Sequence, residues 1–181
     1  EHLDYRKKRY HNADITNKLL LGLSTVEINP TELCNRTCSF CPRSNPAVYP
    51  NRNLNMTIET ANNISTQLYD ANFTGDIHIT GFGEPTLNPK ILDIIKAFSN
   101  NFFTEMITNG DRLTSGRLTH KQLSENGLNS LIVDCYDGPD QTENVKNLLE
   151  DFAGQKRIRN HYDTGESSLF ELYNYNNRGG A

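Results

Sequence analysis

The chain has 181 residues, and its 18 Lys and Arg against 22 Asp and Glu give a formal net charge of −4. That length suits one domain with its own core, and that charge argues against bulk electrostatic binding to nucleic acid. No stretch approaches the apolar length of a membrane span and none reads as a signal peptide, so the expectation is a cytoplasmic protein that does not engage a membrane.

Residues 1–23 read as a polar N-terminal arm or helix, and the basic cluster Arg6-Lys7-Lys8-Arg9 within it reads as a solvated face. Ser24 to Asn29 gives a first strand, followed by a loop that holds three cysteines. Met56 to Tyr69 is predicted as a helix opened by Thr57, with apolar residues at Ile58, Ala61, Ile64 and Leu68. A second strand, Asp76 to Ile79, runs into the turn Thr80-Gly81-Phe82-Gly83-Glu84-Pro85. Pro89 then opens a helix from Lys90 to Ser99, with Ile91, Leu92, Ile94, Ile95 and Phe98 facing inward. A third strand begins near Phe102 and ends at Asn109-Gly110. A helix from Thr119 to Asn126 stops at Gly127, a position suited to a left-handed cap. Leu131 to Gly138 repeats the plan as a fourth strand running into a polar, glycine-bearing end, Asp140 to Phe152 is a helix, and Lys156 to His161 a fifth strand. Phe170 to Tyr175 is a candidate sixth strand.

Strands alternating with helices predict an α/β protein, a partial (βα)6-type TIM-like barrel with parallel strands. Its core domain would cover residues 24–181. The polar and glycine-bearing segments fall at the C-terminal ends of the strands, where parallel α/β folds place ligands.

Cys34, Cys38 and Cys41 form a C-x-x-x-C-x-x-C run in Cys-Asn-Arg-Thr-Cys-Ser-Phe-Cys. Three thiolates so close can grip a metal centre but leave one position open for a substrate or cofactor. A disulfide staple is the first alternative, although a chain with four cysteines and an ordinary core has little need of one. A zinc knuckle completed by Cys135 or a distant His is the second. Cys135 itself reads as a small buried strand residue, and His78, between two isoleucines, as a packed or hydrogen-bonded one.

The run CNRTCSFCPR, followed by GFGEP and then by TNG, resembles the radical S-adenosylmethionine (radical SAM) enzymes. The resemblance implies that Cys34, Cys38 and Cys41 ligate three irons of a 4Fe-4S cluster. S-adenosylmethionine would chelate the fourth iron, and its reductive cleavage would give a 5′-deoxyadenosyl radical that abstracts hydrogen from substrate. Gly83 and Glu84 would meet the methionine ammonium, with Phe82 standing where relatives usually have a first glycine. Phe40 would line the adenine or pack beneath the loop. Asn109 and Asp134 are candidates for polar contacts to the cofactor or for turn caps, and Asp134 departs from the Ser that relatives more often carry. Arg157 and Arg159 alternate onto one strand face, and one of them, with Arg159 preferred, would pair with the cofactor carboxylate.

An electron donor such as flavodoxin or ferredoxin is the implied partner. The closing stretch Asn177-Arg178-Gly179-Gly180 resembles the approach to a SPASM extension, so a fragment of a longer enzyme is expected, acting on a peptide, protein or small-molecule substrate. A radical SAM methylase or RNA-modifying enzyme, and a zinc-binding interaction module, are the alternatives.

Overall fold

The first two strands alternate apolar and polar side chains, and the other strands do so in part, which lets one face carry the helices and frees the other for a site. The computed structural model describes residues 22–162 together with Leu20. Five parallel strands follow one another in chain order: β1 Thr25–Ile28, β2 Asp76–Ile79, β3 Thr104–Thr108, β4 Ser130–Cys135 and β5 Gln155–Asn160. Because every crossover steps to the next strand with the same hand, the helices collect on one face. The expected α/β architecture is thus present as five strands of an open, TIM-like barrel. The predicted sixth strand at Phe170 to Tyr175, the arm with Arg6-Lys7-Lys8-Arg9 and the stretch Asn177-Arg178-Gly179-Gly180 lie outside the described residues.

The register puts Ile79 beside Met106 and Met106 beside Leu131. These three, with Ile77 and Val133, are fully buried in the core. The opposite face carries the row His78, Glu105 and Ser130. There the Ser130 hydroxyl donates to Glu105 at 2.8 Å, and His78 Nε2 stands 3.5 Å from the same carboxylate. His78 is therefore the hydrogen-bonded strand residue expected of it. Cys135 is wholly buried on β4, also as expected.

The helices begin where side chains satisfy their first amides. Helix α1, Ile58–Asp70, opens at Thr57, whose hydroxyl accepts the Thr60 N–H at 3.2 Å. Helix α2, Ile91–Ser99, buries Ile91, Ile94, Ile95 and Phe98, a stripe at helical spacing. Leu92 was expected to face inward with them, but it lies beside that stripe and is only partly buried. Asn88 rather than Pro89 sets the start of α2. Its side-chain oxygen accepts the Lys90 N–H at 2.8 Å, while its amide donates to the carbonyls of Pro30 and Met56, tying α2 to the loop after β1.

A single helical turn, α3 Asp111–Thr114, follows β3 without having been anticipated. Helix α4, His120–Glu125, carries a reciprocal capping box between Thr119 and Gln122 and ends at Gly127 with φ +87°, the predicted left-handed cap. Helix α5, Pro139–Leu148, stops short of the predicted Phe152, which is nevertheless buried.

Truncation at the centre of the helical layer tests this packing. Phe98 has no exposed surface, so Phe98→Ala should cost about 3–5 kcal/mol in chemical denaturation. A loss below about 1 kcal/mol would show that α2 does not seal the core.

Candidate active site

The loop between β1 and α1 is closed by an antiparallel bridge from Thr31 to Asn55, with the Glu32 N–H donating to Leu54 O at 2.9 Å. The cysteines sit within that loop. Asn51 grips Cys34 at two points: its side-chain oxygen accepts the Cys34 N–H at 2.9 Å, and its amide donates to the Cys34 carbonyl at 3.1 Å. Cys41 N–H donates to Cys38 O at 3.0 Å, and Pro42 then starts a short 3-10 turn, Pro42–Ser44. The buried Arg43 donates to the carbonyls of Glu32 and Phe82 and to Asn51 at 3.1 Å. Its guanidinium lies 4.7 Å from the Tyr49 ring centroid, and Tyr49 in turn packs on Phe82 at 5.1 Å. Phe82, in the turn after β2, therefore has a partner in the cysteine loop.

That turn is pressed against the loop. A side chain at Gly83 would collide with the Thr31 carbonyl, so only glycine fits the approach. Glu84 N–H donates to Leu33 O at 2.7 Å. The Glu84 side chain is 3% exposed and accepts four hydrogen bonds. Oε1 takes Thr86 N–H at 3.1 Å, the Thr86 hydroxyl at 2.6 Å and the Thr108 hydroxyl at 2.6 Å, while Oε2 takes Asn109 N–H at 2.8 Å. Burial pushes the Glu84 carboxyl up, against these bonds, which favour the ionised form. With three donors on one oxygen and one on the other, Oε2 is the oxygen with capacity for a ligand cation.

The ends of β3, β4 and β5 supply the remaining wall. Asn109 behaves as a turn cap, its Oδ1 accepting Asp111 N–H at 3.0 Å, and as a tether, its amide donating to Asn35 Oδ1 at 2.9 Å. Asp134 and Arg159 stand opposite each other in the β4–β5 register and pair bidentately, Nε to Oδ1 at 2.5 Å and Nη2 to Oδ2 at 2.6 Å. Asp134 read from sequence as a cofactor contact or a turn cap and Arg159 as a partner of the cofactor carboxylate; the structure pairs the two with each other. Arg159 thus presents Nη1, rather than an unpaired fork, to a ligand, and the Asp134 charge has a cation at hand. His161 Nε2 adds a contact to Asp134 Oδ1 at 3.2 Å. Burial by itself would raise the Asp134 carboxyl, but the close His161 contact and the hydrogen bonds from Arg159 outweigh it and hold the group below the usual carboxylate range. Phe40 stacks at 6.0 Å on Tyr136 and at 6.1 Å on His161, and Tyr136 and His161 stack at 5.0 Å.

Cys34, Cys38, Cys41, Phe40, Gly83, Glu84, Asn109, Asp134 and Arg159, all singled out from sequence, line one cavity of about 210 Å³ at the C-terminal ends of the strands, whereas Arg157 is not part of its lining. Arg36, Tyr136 and His161 line it as well, and sequence reasoning did not assign them. Arg36 lies inside the cysteine run and could have been weighed for its place; Tyr136 and His161 carried no local signal.

Three cysteines of one loop and a buried carboxylate on the facing turn thus wall one cavity at the strand ends of a parallel α/β frame. The chain belongs to the radical SAM superfamily, whose model matches residues 28–166. An S-adenosyl-L-methionine-dependent 2-deoxy-scyllo-inosamine dehydrogenase of Niallia circulans is 30% identical over 129 residues, covering 64% of this chain and 46% of the relative. The chain therefore spans less than half the length of that protein.

Among solved structures, BtrN in complex with AdoMet and 2-DOIA matches with a TM-score of 0.66 at 23% identity, over 87% of this chain and 64% of that one. BtrN in an open conformation matches at 0.57 and 26% identity, over 81% and 58%. SuiB of Streptococcus suis bound to S-adenosylmethionine matches at 0.57 and 19% identity, over 93% and 39%.

The family's cofactors are a 4Fe-4S cluster and S-adenosylmethionine, and the residues present fit them. Cys34, Cys38 and Cys41 are free, half-buried thiols around one cavity. Burial first, then the neighbouring Cys34 and Cys41 sulfurs, pushes Cys38 up to about 11, so this thiol must give up its proton to bind metal. Among the described residues no three His, Cys, Asp or Glu side chains converge on a single ion. Cys135, the fourth sulfur that a zinc knuckle would need, is buried in the core away from the cavity lining. No helix among the described residues is long and apolar enough to cross a membrane.

The Asp134–Arg159 pair yields a pH prediction. A carboxyl held below its ordinary 3.8 contributes stability that is complete above that value and is lost as pH falls through the depressed one. Asp134→Asn should therefore cost roughly 1.5–3 kcal/mol at neutral pH and flatten the acid limb of stability measured by denaturation at stepped pH. An unchanged acid limb would show that the pair is not coupled to folding.

Proposed function

We propose that this chain is the core of a radical SAM enzyme that abstracts a hydrogen atom from its substrate, acting in peptide or protein modification. The observation that carries the reading is the convergence of three loop thiols and the buried Glu84 on one cavity. Cys34, Cys38 and Cys41 would hold three irons, leaving the fourth to a small-molecule chelate. Glu84 Oε2 would accept the methionine ammonium, with Gly83 letting the backbone approach. Phe40, within its stack with Tyr136 and His161, would offer an aromatic edge to the adenine. Arg159 Nη1 and Asn109 would border the ligand's polar groups, and Asp134 would hold Arg159 in place. When bound, the cluster and S-adenosylmethionine supply one-electron cleavage chemistry; the protein's share is placement and the exclusion of water.

The core domain would run over residues 24–181, with 1–23 as an arm. A flavodoxin or ferredoxin would deliver the electron, in a reducing cytoplasm that spares the thiols. The resemblance of Asn177-Arg178-Gly179-Gly180 to the approach to a SPASM extension favours the peptide or protein substrate. A second reading, oxidation of a small hydroxyl-bearing molecule, draws on the similarity to the dehydrogenase of Niallia circulans.

Loading with iron and sulfide without oxygen should give a brown protein with 4Fe-4S absorption. Cys34→Ala, Cys38→Ala and Cys41→Ala should each abolish that absorption, and Cys135→Ala should keep it. Tight stoichiometric zinc with no cluster would sink the reading.

On the loaded protein, Glu84→Gln should weaken S-adenosylmethionine binding by about 1.5–3 kcal/mol while leaving the cluster spectrum unchanged, because a neutral amide replaces a charged acceptor. Equal affinity by calorimetry would remove Glu84 from the cofactor site.

A further inference from the structure

We propose that Arg36, the residue midway between Cys34 and Cys38, is a positioning residue that locks the cysteine loop onto the ends of β3 and β4 before any cluster is bound. Its guanidinium holds two carboxylates at once. Nε and Nη2 donate to Asp111 at 2.8 and 2.6 Å, and Nη1 and Nη2 donate to Asp137 at 2.8 and 2.6 Å. Asp111 opens α3, just after β3, and Asp137 follows β4, so one planar fork joins three segments far apart in sequence. The adjacent Asn35 repeats the attachment, donating to Asp111 at 2.5 Å and accepting from the Asn109 amide at 2.9 Å.

An isolated surface ion pair contributes little, typically about 0–1 kcal/mol, because holding two long side chains costs entropy. Here the guanidinium is 18% exposed and meets both acids bidentately, a geometry that its rigid fork holds at small entropic cost. Lysine has the charge without the fork.

Two further contacts link the clamp to the site. The Arg36 backbone N–H points at Cys34 Sγ at 3.5 Å, so displacing this residue displaces a donor to one of the thiols. The guanidinium also lies 5.3 Å from the Tyr136 ring centroid, and Tyr136 carries the stack with His161 and Phe40 that forms one cavity wall. Cys34 is fixed from one side by Asn51. Arg36 supplies the corresponding restraint toward Cys38, whose carbonyl accepts a turn bond from Cys41 N–H. Preorganised thiols bind a cluster without first ordering their loop.

The cluster aspect rests on the function proposed above, so the test has an arm that needs no cluster. In the full-length chain without metal, amide hydrogen exchange across residues 35–41 should quicken by about tenfold in both Arg36→Ala and Arg36→Lys, with the amides of β3 and β4 unchanged. After anaerobic loading, both variants should hold less iron per chain than wild type and should lose the change that S-adenosylmethionine produces in the electron paramagnetic resonance spectrum of the reduced cluster. Wild-type exchange and wild-type spectra in Arg36→Lys would overturn the proposal, because charge alone would then suffice.

If Arg36→Ala fails to fold, Asp137→Ala carries the test, since that carboxylate is 58% exposed and its removal halves the fork's partners. Faster loop exchange, by about threefold, supports the clamp, and wild-type exchange overturns it. If wild type loads no cluster, the radical reading falls while the exchange arm still decides the role of Arg36.

Discussion

The carboxylate of Glu84 is buried, and the donors that meet it belong to uncharged groups: two threonine hydroxyls and two backbone amides. A buried anion is costly, by several kcal/mol before compensation, and persists only where hydrogen bonds replace water. Those donors come from the turn after β2 and from the end of β3, so the charge can be satisfied only when the two strand ends are in register. Glu84's own amide adds the cysteine loop through the Leu33 carbonyl. One side chain with its backbone therefore fixes the relative placement of three of the segments that line the cavity.

Around that centre the loop is held by arginines rather than by secondary structure. Arg43 works underneath, buried among the carbonyls of Glu32 and Phe82, and Arg36 works at the rim against Asp111 and Asp137. The two differ in what they spare the loop. Arg43 supplies donors to backbone acceptors that the interior would otherwise leave unpaired, and Arg36 restrains the segment between two cysteines. Each also lies over a tyrosine, Tyr49 and Tyr136 respectively, whose ring extends the restraint to Phe82 on one side and to Phe40 and His161 on the other.

The polar wall at the ends of β4 and β5 follows from sheet register. Asp134 and Arg159 are directly paired Cα partners. Their side chains therefore share a face, and the ion pair forms across the ladder without distortion. A one-residue slip would send Arg159 to the helix-covered face, where Ile158 now packs against the core. The site and the core thus depend on the same register.

Much of this was legible in the sequence, because it is encoded by residues close together. The period-2 strands, the Thr57 and Thr119 caps, the Gly127 stop and the stripe Ile91, Ile94, Ile95 and Phe98 each depend on neighbours within a turn or two. The cysteine spacing and the glycine turn with Glu84 are likewise local, and every residue selected from them lines the cavity. What the sequence could not decide were the partners. Asn109 and Asp134 each read as either a cofactor contact or a turn cap, Arg159 as a partner of the cofactor carboxylate, and Arg36 and Arg43 had no role assigned. A side chain's type fixes what it can bond, but which group it meets depends on the register and on the close approach that Gly83 permits. Those are set only when distant segments pack together, and only the tertiary structure decided them.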